Sequence, residues 1–582
     1  METLRRIFGE GPPPSSRLPP SVGMNSLVGV YGAPNPAMAL AHMGTEPVWH
    51  DTQVAFGGSQ VWTDRAHTVM VSGELILDNA TDLRPKLDWP EAEAGELFAE
   101  LFCRYGTDAG RYALGMFAVA VWEPQRRQLI LFRDSVGART LYYATDGRAW
   151  SFAGRLPSLR RCPFVSGEIS LTALQKYLTF AFVPGAETLW SNVFEMRPGT
   201  SLTLPTGALH SYWEPAEGES NPTEPLETYA TWLRELLEEA VRVRLPSSGP
   251  VGVFLSGGVD SSLVTALAAR QAPEEVHTYA IHFGPEHPNE LVFSGLVAEH
   301  CGTHHHILAL SAEQIQKRLE QTLYALDDPI GDPLTVPNFL LAQEAAQEVS
   351  VILNGEGGDP CFGGPKNQPM LLHELYSAGG SREAAYLRSY QKCYDDLAHL
   401  LTPEVQNALS KAQPQEALLT PFLTNPAMPH LLNKLMHINL RLKGADQILT
   451  KVNNLTTANG LIGRSPLFDR RVVEASFAIP PIYKLEGAKE KAVLKRAVAD
   501  LLPGVILTRP KSGMLVPVQS WFRGELQRFA HGLLLNRQAR IRPYLNQEVV
   551  REWLSYRDNM WPRHGVKLWL VLTLEVWLRV HE

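Results

Sequence analysis

VGVFLSGGVDSSLVTALAAR, residues 251–270, joins a short apolar run, a glycine- and serine-rich turn and a helix-forming segment without interruption. That order predicts a strand entering a loop at Ser256, Gly257 and Gly258 and leaving it as a helix through Asp260, Ser261 and Ser262. Adjacent glycines let backbone N–H groups approach an anion closely, and a helix N-terminus adds partial positive charge. Serine hydroxyls donate to phosphate oxygens. Asp260 is the odd member, because a carboxylate beside phosphates is repulsive unless a divalent cation lies between them. A G-x-x-x-x-G-K-[ST] loop neutralises the phosphates with lysine, and this loop has none.

A second such turn lies at VILNGEGGDPCFGGPKN, residues 351–367, where an apolar run ends in glycines bearing Glu356 and Asp359. Gly355, Gly357 and Gly358 allow close approach. The apolar segments VGVFL, VHTYAIHF, HILAL and VSVILN alternate with helix-length stretches, the pattern of a parallel sheet. Ligands of open α/β sheets sit beyond the carboxyl ends of the strands. Both turns are therefore expected to share one site, with Asp260 and Asp359 clamping Mg²⁺ on a pyrophosphate group. From about Leu371 the pattern is nearly all helical. It ends in VKLWLVLTLEVWLRV (566–580), read as a docking core helix, because it is too short and too charged to span a membrane.

Upstream, from Leu27 to about Trp213, short strands dominate, as in TVMVSGELIL (68–77) and GMFAVAVWEPQRRQLILFRD (115–134). One amphipathic helix is expected in AEAGELFAELFCRYG, where Leu97, Phe98, Leu101 and Phe102 share a face. EPAEGESNPTEPLE (214–227) is rich in proline and acid and reads as a linker. The expected organisation is a disordered tail or early-called start over 1–23, a first domain over 24–215, a linker over 216–228 and a second domain over 229–582. A chain of 582 residues exceeds what one core supports. Net charge is −8 with no block of like charges, which argues against a nucleic-acid partner. The five scattered cysteines form no C-x-x-C pair, which points to a reducing compartment. With no long apolar run and no secretory signal, the expected location is cytoplasmic, away from membranes. His304-His305-His306 reads as alternating strand residues rather than a metal site, and Cys361 as a small packed residue.

The turn at 256–262 looks like the SGGxDS pyrophosphate loop of ATP pyrophosphatases, which leave AMP on their substrate. More widely, the chain resembles asparagine synthetase of the glutamine-hydrolysing B type, from Met24 to the C-terminus. The likeness is carried by GMFAVAVWE (115–123), RDSVGARTLYYA (133–144), SGGVDSS (256–262), NELVFSGLVAEHCGTHHH (289–306), DDPIGDPLTVP (327–337), GEGGDPCFGG (355–364), GRSPLFDRRVVE (463–474), KEKAVLKRA (489–497) and RPKSGMLVP (509–517). The resemblance implies an N-terminal nucleophile-type glutaminase-like αββα sandwich. An ATP-pyrophosphatase parallel-sheet domain with a helical C-terminal part would follow it. It implies ATP and Mg²⁺ as cofactors, and adenylation of a carboxylate followed by displacement of AMP by an amine. Leu255, Ile281, Asn354 and Gly355 would border the nucleotide. Glu356 would assist adenylate formation or deprotonate the amine, and Lys491 would stabilise the developing charge. The expected partners are a small-molecule or peptide carboxylate and a second copy of the chain in a homodimer.

The glutaminase half departs from the family. Asn25 stands where the family has its N-terminal cysteine, and an amide offers no nucleophile. The oxyanion and glutamine-binding Asn-Gly-Glu reads Ser72-Gly73-Glu74, and Ala94 stands where the family has the aspartate that grips the glutamine amine. No arginine clamp is found. In the synthetase half, Asn453, Asn454 and Ile462 replace charged residues, which puts the acyl substrate in question. The expectation is thus an AMP-forming amide synthetase using ammonia or another amine, without its own glutamine hydrolysis. The alternatives are a lactam-forming cyclase or a non-catalytic nucleotide-binding scaffold.

Overall fold

A computed structural model describes residues 26–218, 223–364, 367, 369–372, 380–486, 489–510, 513–555 and 564–581. The expected tail and Asn25 lie outside the described residues.

The N-terminal half contains twelve strands in two antiparallel sheets. They are β1 (Val28–Tyr31), β2 (Pro47–His50), β3 (Val54–Gly57), β4 (Val61–Thr63), β5 (Met70–Leu77) and β6 (Gly115–Glu123). Next come β7 (Gln128–Arg133), β8 (Tyr142–Thr145), β9 (Trp150–Ala153), β10 (Val193–Glu195), β11 (Thr200–Leu204) and β12 (Ala208–Ser211). One sheet runs β10-β8-β9-β1-β3-β2 and the other β12-β11-β7-β6-β5-β4. Side chains alternate across each strand, so one set meets between the sheets: Phe56, Ala118, Ala120, Trp122, Leu129, Leu131 and Phe152 are buried together there. The opposite faces are covered by helices. Helix α1 (Pro36–His42) lies against the first sheet, and α2 (Ala94–Tyr105) sets Phe98 5.3 Å from both Phe117 and Phe132 of the second. The expected αββα sandwich is present. Its amphipathic helix buries the predicted Leu97, Phe98, Leu101 and Phe102.

The C-terminal half is built on β13 (Val251–Phe254), β14 (Val276–His282), β15 (His304–Ala309), β16 (Val351–Asn354) and β17 (Ile462–Arg464). All neighbours are parallel, in the order β15-β14-β13-β16-β17. Four of these strands match the apolar segments of the sequence. The fifth, three residues long, is too short to produce a pattern. The chain leaves β13 toward β14 and β15 and returns to β16 on the other side. The switch point therefore falls between β13 and β16, and the two glycine turns follow these two strands.

The stretch read as a linker is docked at its start. Glu214 pairs with His437 at 2.9 Å and Arg441 at 3.2 Å, and Glu217 pairs with His430. Arg155–Asp327, Arg197–Asp446 and Arg244–Asp78, each 2.8 Å, cross the seam between the halves. Each carboxylate in these three pairs is buried, so loss of one partner strands a charge, and the seam specifies one orientation. The last helix, His564–His581, is buried along most of its length. It also reaches the N-terminal half: Tyr177 Oη donates to the Leu570 carbonyl at 2.8 Å, and Trp190 lies 5.3 Å from Trp577. Among the described residues no helix is long and apolar enough to cross a membrane.

Candidate active site

At the end of β13 the chain turns through Gly257, whose φ of +75° is left-handed. A Cβ there would stand 2.6 Å from the Ser294 nitrogen, so only glycine fits. The serines brace the turn. Ser261 Oγ accepts from the Ser256 N–H at 3.1 Å and lies 3.0 Å from Ser256 Oγ. Val259–Gln271 then forms helix α3, with Asp260 in its first turn. At the end of β16, the Asn354 amide donates to the Arg464 carbonyl at 3.2 Å and accepts from the Glu356 N–H at 3.1 Å. These bonds fix the second turn against β17.

The two turns meet. A Cβ on Gly355 would stand 2.4 Å from the Ser261 nitrogen, and one on Gly358 would stand 2.2 Å from Asp260 Oδ1. Lys491 Nζ lies 2.5 Å from Asp260 Oδ2 and 2.5 Å from Asp359 Oδ1. Burial disfavours its ammonium, but the two carboxylates outweigh that and raise its pKa above the ordinary lysine value. Asp260 Oδ1 is buried with no hydrogen-bond partner. Two carboxylates on glycine-rich turns, one with an unsatisfied oxygen, suit a hard cation such as Mg²⁺, which commonly takes one or two carboxylates and completes its shell with phosphate and water.

A cavity of about 470 Å³ opens over this junction. Leu255, Ser256, Gly258, Asp260, Ser261, Ile281, Asn354, Gly355, Glu356, Asp359 and Lys491 all line it. Gly257 and Ser262 do not, because Gly257 turns against Phe293 and Ser294 and Ser262 is wholly buried. Asn453 and Asn454 also turn away from the predicted acyl site. Asn453 accepts from Arg139, and Asn454 donates to Asp327 at 2.7 Å, so both serve the seam. Their neighbour Lys451 does line the cavity, paired with Asp332 at 2.7 Å.

Sequence reasoning missed part of the wall. Phe180 and Ala181, at the C-terminus of the helix Leu171–Phe180, reach the cavity from the N-terminal half. Phe180 meets Tyr390 with ring centres 4.9 Å apart. Lys443 and Gln447 come from Asn439–Leu449, a run of wide i→i+5 helical turns. Such turns are rare and frequently fall at functional sites. Cys361 is buried under the second turn, its thiol pushed up to about 12 by burial, so it is no nucleophile.

In the N-terminal half, Ser72 is fully buried and its hydroxyl lies 2.8 Å from Ser59 Oγ. Gly73 has no room for a side chain against the Ala118 carbonyl, and Glu74 lies 3.7 Å from Arg139. Ala94 opens α2 beside Gly95, where a Cβ would meet the Trp62 ring at 2.1 Å. The Trp62 indole donates to Glu93 at 2.7 Å.

The family model described as asparagine synthase matches residues 232–579, and the one described as glutamine amidotransferase domain matches 42–213. The chain is 26% identical to asparagine synthetase [glutamine-hydrolyzing] 1 of Bacillus subtilis, covering 92% of each. It is 28% identical to a putative asparagine synthetase [glutamine-hydrolyzing] of Mycobacterium bovis, over 83% of this chain and 79% of the relative. Among solved structures, a glutamine phosphoribosylpyrophosphate amidotransferase from B. subtilis aligns at 12% identity with a TM-score of 0.25, over 50% of this chain and 91% of that one.

Proposed function

The chain belongs to the asparagine synthase family of carbon–nitrogen ligases, and on that premise we propose that it is an AMP-forming amide synthetase that adenylates an aspartate-like carboxylate and passes it to ammonia or another amine. The carrying observation is the meeting of Asp260, Asp359, Lys491 and Glu356 beyond the ends of the two central strands. The phosphate turn would hold ATP with its adenosine along Leu255 and Ile281. Asp260 and Asp359 would hold Mg²⁺, which when bound neutralises the departing pyrophosphate. The substrate carboxylate attacks the α-phosphorus, and Lys491 stabilises charge on the adenylate and on the tetrahedral species that follows. Such a donor in a water-poor site is worth about 3–4 kcal/mol. Glu356 lines the same cavity and takes the proton of the attacking amine, and AMP leaves.

The amine, in this reading, does not come from glutamine hydrolysed by this chain. Asn25 offers no nucleophile, the Ser72 hydroxyl is engaged with Ser59, and Trp62 lies over the start of α2. The sandwich is retained because it supplies Phe180 and Ala181 to the synthetase cavity. A second reading, activation of a peptide carboxylate for lactam formation, is favoured by the aromatic wall of Phe180 and Tyr390.

The test is pyrophosphate and AMP release with aspartate plus ammonia, aspartate plus glutamine, and a peptide carrying a free amine. Turnover with ammonia but not glutamine is expected. Turnover with the peptide alone would favour the second reading, and tight ATP binding without turnover would favour a scaffold.

A further inference from the structure

The carboxylates that flank the phosphate turn already share a cation. Lys491 Nζ bridges Asp260 and Asp359 at 2.5 Å each, with only 1% of its side chain exposed. A metal bound through the two oxygens that Lys491 now holds, Asp260 Oδ2 and Asp359 Oδ1, would stand where this ammonium stands. The two cannot coexist there, since like charges at contact distance in a buried site repel strongly.

Each carboxylate packs closely against a glycine of the second turn. A Cβ on Gly358 would stand 2.2 Å from Asp260 Oδ1, and one on Gly364 would stand 2.6 Å from Asp359 Oδ1. Lys491 itself is held with φ 57° and ψ 37°, a left-handed conformation that side-chain-bearing residues adopt rarely. Strain of this kind persists where the surroundings over-determine it, and it clusters at switching and ligand sites. Asp260 Oδ1, buried and unpartnered, is a further acceptor that the lysine does not use.

We propose that Lys491 is the resident counter-ion of the Asp260–Asp359 pair in the free enzyme, and that the metal–nucleotide displaces it. This inference rests on the reading of the cavity as a metal–nucleotide site. The ammonium keeps two like charges together before substrate arrives, so the clamp is preorganised. It also makes a free divalent ion a poor ligand, because the ion must first expel the lysine. Lys491 thus reaches the reacting carboxylate only after the phosphates and their metal are in place, which orders nucleotide binding before charge stabilisation.

The test uses the full-length protein and Mn²⁺ as probe, with free Mn²⁺ read by electron paramagnetic resonance. Lys491→Met is expected to bind Mn²⁺ alone at least tenfold more tightly than wild type. Adding Asp260→Asn is expected to remove that gain. Equal or weaker Mn²⁺ affinity in Lys491→Met, with an unchanged circular dichroism spectrum, overturns the proposal. A second measurement needs no variant. Pulse acetylation read by mass spectrometry should modify Lys491 several-fold faster in wild type saturated with Mn²⁺, and an unchanged rate overturns the proposal equally. Asp260-dependent Mn²⁺ binding that ignores Lys491 sinks the counter-ion role alone. If Asp260→Asn leaves Mn²⁺ binding unaltered even with α,β-methylene-ATP, the metal–nucleotide reading falls as well.

Discussion

Trp62 lies across the start of the helix Ala94–Tyr105, so close to Gly95 that a Cβ there would stand 2.1 Å from its ring. Its indole N–H is spent on Glu93, which with Glu96 also caps the helix. In the family resemblance, the neighbouring position 94 carries the acid that grips glutamine. Here that end of the helix holds an aromatic ring and an alanine.

The purified protein is therefore expected to release no glutamate from glutamine. Detection of glutamate at a rate matching ammonia-dependent AMP formation would refute this. Gly95→Ala should destabilise the N-terminal half by about 1–3 kcal/mol through overpacking against Trp62. Thermal unfolding reads this directly, and an unchanged midpoint would place the ring elsewhere.

Loss of the Asp260 carboxylate or of the lysine that pairs with it is predicted to stop adenylation. Asp260→Ala and Lys491→Ala should each lower AMP formation by at least about 10²–10³-fold, the scale of losing a transition-state donor. Circular dichroism of both variants separates this loss from misfolding, because Lys491 is buried and paired with both carboxylates. Full activity in either would remove that residue from the chemistry.

Gly358→Ala tests the close approach of the two turns. The added methyl meets Asp260 at 2.2 Å and must push the carboxylate or the turn aside. A displacement of about 1 Å in a positioned group costs on the order of 10²-fold in rate. The effect should appear in ATP-dependent turnover, with only a small change in unfolding temperature. Wild-type kinetics would contradict the geometry.

A pH prediction comes from His581, far from the cavity. It is buried against Trp577, its imidazole lies 3.1 Å from the Leu323 carbonyl, and burial lowers its pKa to about 4. An unfolded histidine titrates near about 6.5. Between these values the unfolded chain binds more protons than the folded one, so stability must rise with pH. The contribution is complete above about 6.5 and is lost as pH falls through about 4. Denaturant unfolding should show this slope in wild type and a smaller one in His581→Phe. Identical slopes would mean that His581 is not held neutral.

How much was legible depends on the range of the forces involved. Residues 251–270 announce strand, glycine turn and helix because each is set by neighbours a few positions away, and these elements recur in the fold. The same holds for the amphipathic helix with Phe98 and Phe102, whose buried face is a matter of helical period. Eleven of the thirteen residues assigned to the nucleotide, metal and chemistry line one cavity. The other two, Gly257 and Ser262, serve the turn from behind, a distinction that a motif does not carry.

What tertiary structure decided is everything that depends on which surface meets which. Asn453 and Asn454 looked like substrate determinants in sequence, yet they hold the seam, because their partners Arg139 and Asp327 lie over a hundred residues away in the chain. Phe180 belongs to one half and lines the cavity of the other, which no local pattern records. The sequence marked two carboxylates and, through the family resemblance, a lysine as candidates for one site. Only the fold put the lysine between them, where one buried ammonium pairs with both carboxylates at once.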